Sequence, residues 1–64
     1  MRLTVLIPAF NEEKTIKKVI EEIPKKIDSI DKIEVMVIDD GSSDETVKVS
    51  EKAGAKVISF RQNQ

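Results

Sequence analysis

The 64-residue chain has no cysteine, histidine, tryptophan or tyrosine, and only two phenylalanines, two glycines and two prolines. Without cysteine no disulfide can brace it, and without cysteine and histidine the usual zinc ligands are missing. No sign of charge dominates either: 11 Lys and Arg stand against 12 Asp and Glu, a net charge of -1, so nothing in the total favours nucleic acid or an acidic membrane surface. The longest apolar run, Leu3 to Ile7, is far short of the ~20 residues of a membrane span. Met1-Arg2 leads into that run without a secretory leader, and the lack of cysteine fits a reducing compartment, so the expected location is cytoplasmic. No internal repeat and no low-complexity segment occurs.

What remains, 39% hydrophobic and 36% charged residues, is the composition of a small soluble domain. Apolar burial at about 25 cal/mol per Å² supplies roughly 95 kcal/mol, and ordering the chain at about 1.5 kcal/mol per residue costs roughly 95 kcal/mol. The two cancel. Stability is therefore expected to draw on a partner or on further chain.

The pattern alternates between two periods. Leu3 to Ile7 reads as a strand buried on both faces and closed by Pro8. Ile16, Val19, Ile20, Ile23, Ile27 and Ile30 then recur at helical steps from about Glu12, with a break at Pro24 and a second short helical piece beyond it. Glu13 with Lys17, Glu21 with Lys25 and Glu22 with Lys26 are spaced to pair on its outer face. Ile33 to Ile38 is a second buried strand, ending at Asp39-Asp40. Ser42 and Glu45 have capping-box spacing for a helix from about Asp44 to Ala53, with Thr46, Val49, Ser50 and Ala53 inward and Gly54 as its stop. Lys56 to Phe60 is a third strand, after which 61–64 leaves the sheet. Strand, helix, strand, helix, strand with right-handed crossovers gives a parallel α/β sheet in the order three, two, one.

Ligands of such sheets bind at the carboxyl edge, where the loops after Pro8 and Ile38 converge. They bring together Glu12, Asp39, Asp40 and Asp44, without the glycines of a phosphate cradle. Carboxylates accept hydrogen bonds, which suits ring N–H groups, ribose hydroxyls or a cation. For Glu13, Asp44 and Glu45 the helix dipole is a sufficient explanation. Asp39 and Asp40 lack that support, repel each other and alternate between faces, so one is expected to bond into the loop while the other faces the crevice.

Val5-Leu6-Ile7-Pro8-Ala9-Phe10-Asn11-Glu12-Glu13, followed by Val37-Ile38-Asp39-Asp40-Gly41-Ser42-Ser43-Asp44-Glu45-Thr46, resembles the amino-terminal part of family 2 glycosyltransferases, and within them the dolichol-phosphate mannosyltransferase-like or polyprenyl-phosphate sugar transferase branch. The resemblance covers essentially the whole chain and implies the first part of a Rossmann-like, GT-A type domain. Residues 1–64 would be an incomplete nucleotide-diphospho-sugar-binding domain, truncated after strand three.

The resemblance further implies that Pro8, Ala9, Phe10 and Glu12 wall the base and ribose, that Asp40 accepts from the base, and that Asp39 holds the turn or the ribose. Phe10 stands where the family usually has tyrosine. The complete enzyme would use Mg2+ or Mn2+, whose ligands, like any catalytic base, lie outside this chain. Its acceptor would be a polyprenyl or dolichyl phosphate, reached at the cytoplasmic face of a membrane. Two rivals on similar sheets fit less well. A nucleotidyltransferase would carry a glycine-rich basic loop after strand one, and a receiver domain would carry its acidic pair on the first strand. A non-catalytic, self-associating structural unit is the alternative from outside the enzymes.

Overall fold

The computed structural model describes residues 1–60. Strand β1 (Arg2–Ala9), helix α1 (Ile16–Glu21), strand β2 (Lys32–Asp39), helix α2 (Thr46–Lys52) and strand β3 (Lys56–Ser59) follow in that order. The sheet is parallel in the order β1-β2-β3, with Val5 opposite Val35, Pro8 opposite Ile38 and Asp39 opposite Ser59. The expected α/β topology is the observed one. The exit of the chain from the sheet at 61–64 lies outside the described residues.

Register assigns the side chains to faces. Leu3, Val5, Ile7 and Ala9 line up with Ile33, Val35, Val37 and Asp39, and these with Val57 and Ser59. Both helices pack on this face, where Ala9, Ile16, Ile20, Val37 and Ala55 form the buried core with Ile7, Val35, Val49, Ala53 and Val57 around them. Thr46 and Ser50, both fully buried, bring α2 close to the sheet because their side chains are small, and the Ser50 hydroxyl donates to the Thr46 carbonyl at 2.7 Å. Helix α2 ends as its sequence dictates. Gly54 at φ +97° donates to Glu51 and Ala55 donates to Ser50, the paired bonds that a left-handed residue makes possible.

Four expectations need correcting. Strands β1 and β2 are apolar on both faces but covered on one: the opposite face carries Leu6, Pro8, Met36, Ile38 and Ile58, with Leu6 60% exposed and no helix over it among the described residues. Pro8 does not close β1; the strand continues through it to Ala9, because β1 is an edge strand and a missing donor is tolerated there.

Helix α1 is shorter than its periodicity. A hydrogen-bonded turn begins at Glu12, but regular helix spans only Ile16–Glu21, and beyond Pro24 only a turn from Ile27 to Ile30 forms. Ile16 and Ile20 are buried, whereas Val19 and Ile27 are exposed. The three Glu–Lys pairs accordingly do not form among the described residues, since Glu13, Lys25 and Lys26 lie off the helix and Glu22 only caps it. Among the described residues the side-chain ion pairs are Lys56–Glu34 at 2.8 Å and Lys48–Glu45 at 4.0 Å.

The fourth correction is the capping box. Ser42 and Glu45 do not cap α2, whose first turn is instead held by the Asp44 carboxylate, which accepts from both the N–H and the hydroxyl of Thr46. No helix of the described residues is long and apolar enough to cross a membrane.

Candidate functional site at the carboxyl edge

Asp39 and Asp40 end the central strand facing opposite ways, and their environments differ completely. Asp39 is fully buried on the helix-covered side. Its carboxylate accepts from the Ser42 N–H at 3.0 Å, from the Ser42 hydroxyl and from the Ser59 hydroxyl at 3.0 Å. Burial pushes its pKa up, but these bonds and the Gly41 N–H outweigh burial and hold the carboxyl below its usual value, so it stays ionised. Asp40 is exposed, on the other side of the strand.

The loops after β1 and β2 are laced together by reciprocal capping. Three successive N–H groups of the first loop donate to side chains of the second: Asn11 to the Ser42 hydroxyl at 2.8 Å, Glu12 to the Thr46 hydroxyl at 2.7 Å and Glu13 to the Asp44 carboxylate at 3.3 Å. In return, the Ser43 N–H donates to the Asn11 side-chain oxygen at 2.8 Å and the Glu45 N–H to the Glu13 carboxylate at 3.2 Å. Each loop thus satisfies the unpaired amides that precede the other's helix. Glu13 and Asp44 therefore act through these bonds and not as charges in a first helical turn, since neither helix has an acidic residue in its first turn. For Asp44, burial raises the pKa and bonds from Thr46 and from the Glu13 N–H lower it by more, leaving it depressed.

Above this lacing lies an open depression of about 460 Å³ lined by Pro8, Ala9, Phe10, Glu12, Ile38, Asp40 and Phe60. Five of the six residues singled out in the sequence converge there. The sixth, Asp39, does not reach it and lies beneath, bonded to Ser42 and Ser59. Phe10 and Phe60 are 54% and 57% exposed, so two aromatic rings, Ile38 and Pro8 offer apolar surface beside the Asp40 and Glu12 carboxylates.

Sequence reasoning missed Ile38 and Phe60, although alternation could have found them. Ile38 is opposite Pro8 and Ile58 is opposite Ile38, so the bare face leads straight to Phe60. Asn11, Ser42 and Thr46 were missed because each acts on the other loop.

The carboxylates do not fit a divalent cation. Among the described residues no three acidic groups converge on a common point, and the oxygens of Asp39 and Asp44 are occupied by serine, threonine and backbone donors. What the site can do is hold a flat, partly apolar group and accept its hydrogen bonds.

Known proteins share this segment. The model of the family "Glycosyl transferase family 2" matches residues 4–64. Glucosyl-3-phosphoglycerate synthase of Petrotoga mobilis is 43% identical over 62 residues, covering 91% of this chain and 18% of the relative. The 4,4'-diaponeurosporenoate glycosyltransferase of Staphylococcus aureus is 43% identical over 56 residues, covering 88% of this chain and 14% of the relative. The crystal structure of glucosyl-3-phosphoglycerate synthase from Mycobacterium tuberculosis in complex with Mn2+, UDP-glucose and phosphoglyceric acid superposes with a TM-score of 0.75 at 41% identity, over 91% of this chain and 20% of that one. The chain thus spans about a fifth or less of the length of these relatives. With the family model matching nearly every residue, and the fold and the two laced loops in place, this chain belongs to glycosyl transferase family 2.

Proposed function

We propose that the depression at the carboxyl edge receives the nucleotide part of a nucleotide-diphospho-sugar, the donor for sugar transfer by a protein containing this segment. The observation that carries this reading is the convergence of Pro8, Ala9, Phe10, Glu12 and Asp40, with Ile38 and Phe60, on one depression. Phe10 and Phe60 supply surface for a base to stack on, Asp40 accepts from a base N–H, and Glu12 accepts from a ribose hydroxyl. Asp39 supports the turn from beneath. The UDP-glucose held by the M. tuberculosis enzyme supports a uracil base, whose ring N–H is a donor matched to a carboxylate.

The two relatives of 43% identity are named for different acceptors, one for phosphoglycerate and one for diaponeurosporenoate. A segment shared by both belongs to the donor side, so acceptor choice lies elsewhere. The polyprenyl or dolichyl phosphate acceptor implied by the first resemblance, and action at a membrane, draw no support from these relatives. The cytoplasmic setting expected from the sequence draws no support from them either.

Calorimetric titration of the chain with uridine diphosphate tests the donor reading. Uptake that is weakened by Asp40→Asn supports it, and no heat of binding at millimolar nucleotide overturns it. The exposed apolar face and the free edge of β1 favour a second reading, a self-associating structural unit, for which sedimentation would show a concentration-dependent mass without any nucleotide uptake.

A further inference from the structure

We propose that Ser42 and Asn11 are positioning residues, which fix the wall formed by Phe10 and Glu12 to the buried Asp39 carboxylate. The connection is continuous. Asp39, the last residue of β2, is fully buried and holds the Ser42 hydroxyl and N–H together. That hydroxyl, donating to Asp39, presents its lone pair to the Asn11 N–H at 2.8 Å. The Asn11 side-chain oxygen then takes the Ser43 N–H at 2.8 Å, so the two loops close a ring.

Among the described residues Asn11 is one of two non-glycine residues at positive φ, here +51°, and it stands between Phe10 and Glu12, both of which line the depression. A left-handed residue at that point turns the chain sharply, so whatever holds Asn11 also sets the directions of its two neighbours. Asp39 further takes the Ser59 hydroxyl, and its carbonyl accepts from the Phe60 N–H at 2.8 Å. Asp39 therefore joins the strand ends: its carboxylate and its main-chain carbonyl hold Ser59 and Phe60 of the β3 end, and through Ser42 it reaches Asn11 and, beside it, Phe10 after β1. A ligand reaching Asp40 would never touch this anchor.

The proposal rests on the donor-site reading for its functional consequence but not for its geometry, and the test separates the two. Ser42→Ala removes the shared hydroxyl, Ser42→Thr keeps it, and Asn11→Gly removes the side-chain oxygen while keeping a residue at ease at positive φ. Each is compared with the parent by uridine diphosphate titration and by amide hydrogen exchange, well below the melting temperature so that the folded fraction is unchanged.

Ser42→Ala and Asn11→Gly are expected to weaken nucleotide uptake by roughly tenfold, the equivalent of one hydrogen bond. Exchange should accelerate at Asn11 in the first variant and at Ser43 in the second, while Val37 in the core stays protected. Ser42→Thr is expected to behave like the parent in both measurements. Parental affinity in Ser42→Ala and Asn11→Gly, acceleration at Val37 equal to that at the loop, or the same loss in Ser42→Thr overturns the proposal. Should the parent take up no nucleotide, the donor reading fails, and amide exchange alone decides: unchanged rates at Asn11 and Ser43 overturn the positioning role, and loop-confined acceleration upholds it.

Discussion

The two faces of the sheet are built from the same alternating strands, yet one is closed and the other open. On the closed face Val37 is fully buried in one cluster with Ala9, Ile16, Ile20 and Ala55, whereas on the open face Leu6 and Ile58 are 60% and 43% exposed. Asp39 and Asp40 divide the same way, one holding serine donors on the helix-covered side and the other exposed in a depression that two phenylalanines also line. The comparison teaches that strand alternation separates two tasks: residues of one parity, such as Val37 and Asp39, hold the fold together, and those of the other, Pro8, Phe10, Ile38, Asp40 and Phe60, line the open depression proposed to take a ligand. At the carboxyl edge, by contrast, the two loops are bonded to each other and exchange polar partners that neither could find alone.

The largest expected effect tests the closed face. Ile16→Ala removes a buried side chain wedged between α1 and the sheet and is expected to cost about 2–5 kcal/mol in a chemical denaturation experiment, whereas Leu6→Ala on the open face should stay within about 0.5 kcal/mol. Equal losses at both positions would mean that the open face is buried in solution.

The acidic pair gives a sharper division. Asp40→Asn exchanges a charged acceptor for a group that can present a donor to a donor, so nucleotide affinity should fall by about 1.5–3 kcal/mol with the melting temperature unchanged. Asp39→Asn should do the reverse, lowering the melting temperature more than it weakens binding, because the amide leaves one of the Ser42 or Ser59 donors without an acceptor. The division collapses if Asp40→Asn binds like the parent while Asp39→Asn does not.

A smaller effect is expected where the loops are laced. Thr46→Val keeps the shape of the buried side chain but leaves the Glu12 N–H without its partner, a loss of roughly 1 kcal/mol, comparable to removing a helix cap. Urea titration of Thr46→Val beside Thr46→Ser, which retains the hydroxyl, checks it. A loss as large in the serine variant would assign the effect to packing.

The gentlest test is pH. Asp39 and Asp44 both titrate below the usual aspartate value of 3.8, so folding favours their ionised forms. Their contribution to stability is complete above that value and is lost as the pH falls through their lower folded pKa values. Melting temperature followed from pH 7 downward should therefore hold level until close to 4 and then drop, and Asp39→Asn should blunt the drop. A decline that begins near neutrality would show that other groups govern it.

Much of this is local and therefore legible along the chain. The short apolar runs from Leu3 to Ile7 and from Ile33 to Ile38 mark the strands, Gly54 marks the end of α2, and the step of one residue from Asp39 to Asp40 already sends them to opposite faces. Small inward residues at Thr46 and Ser50 announce close packing before any coordinates are known. These features depend only on backbone geometry and nearest neighbours, so the sequence by itself determines them. The length of α1, the fate of Ser42 and Glu45, and the membership of Ile38 and Phe60 in the depression are of another kind. Asn11 and Ser42 are 31 residues apart and Glu12 and Thr46 are 34 apart, so their bonds exist only once the sheet has brought the two loops side by side. A short polar side chain takes whichever partner the fold delivers, and here tertiary structure delivered the neighbouring loop before the helix's own first turn.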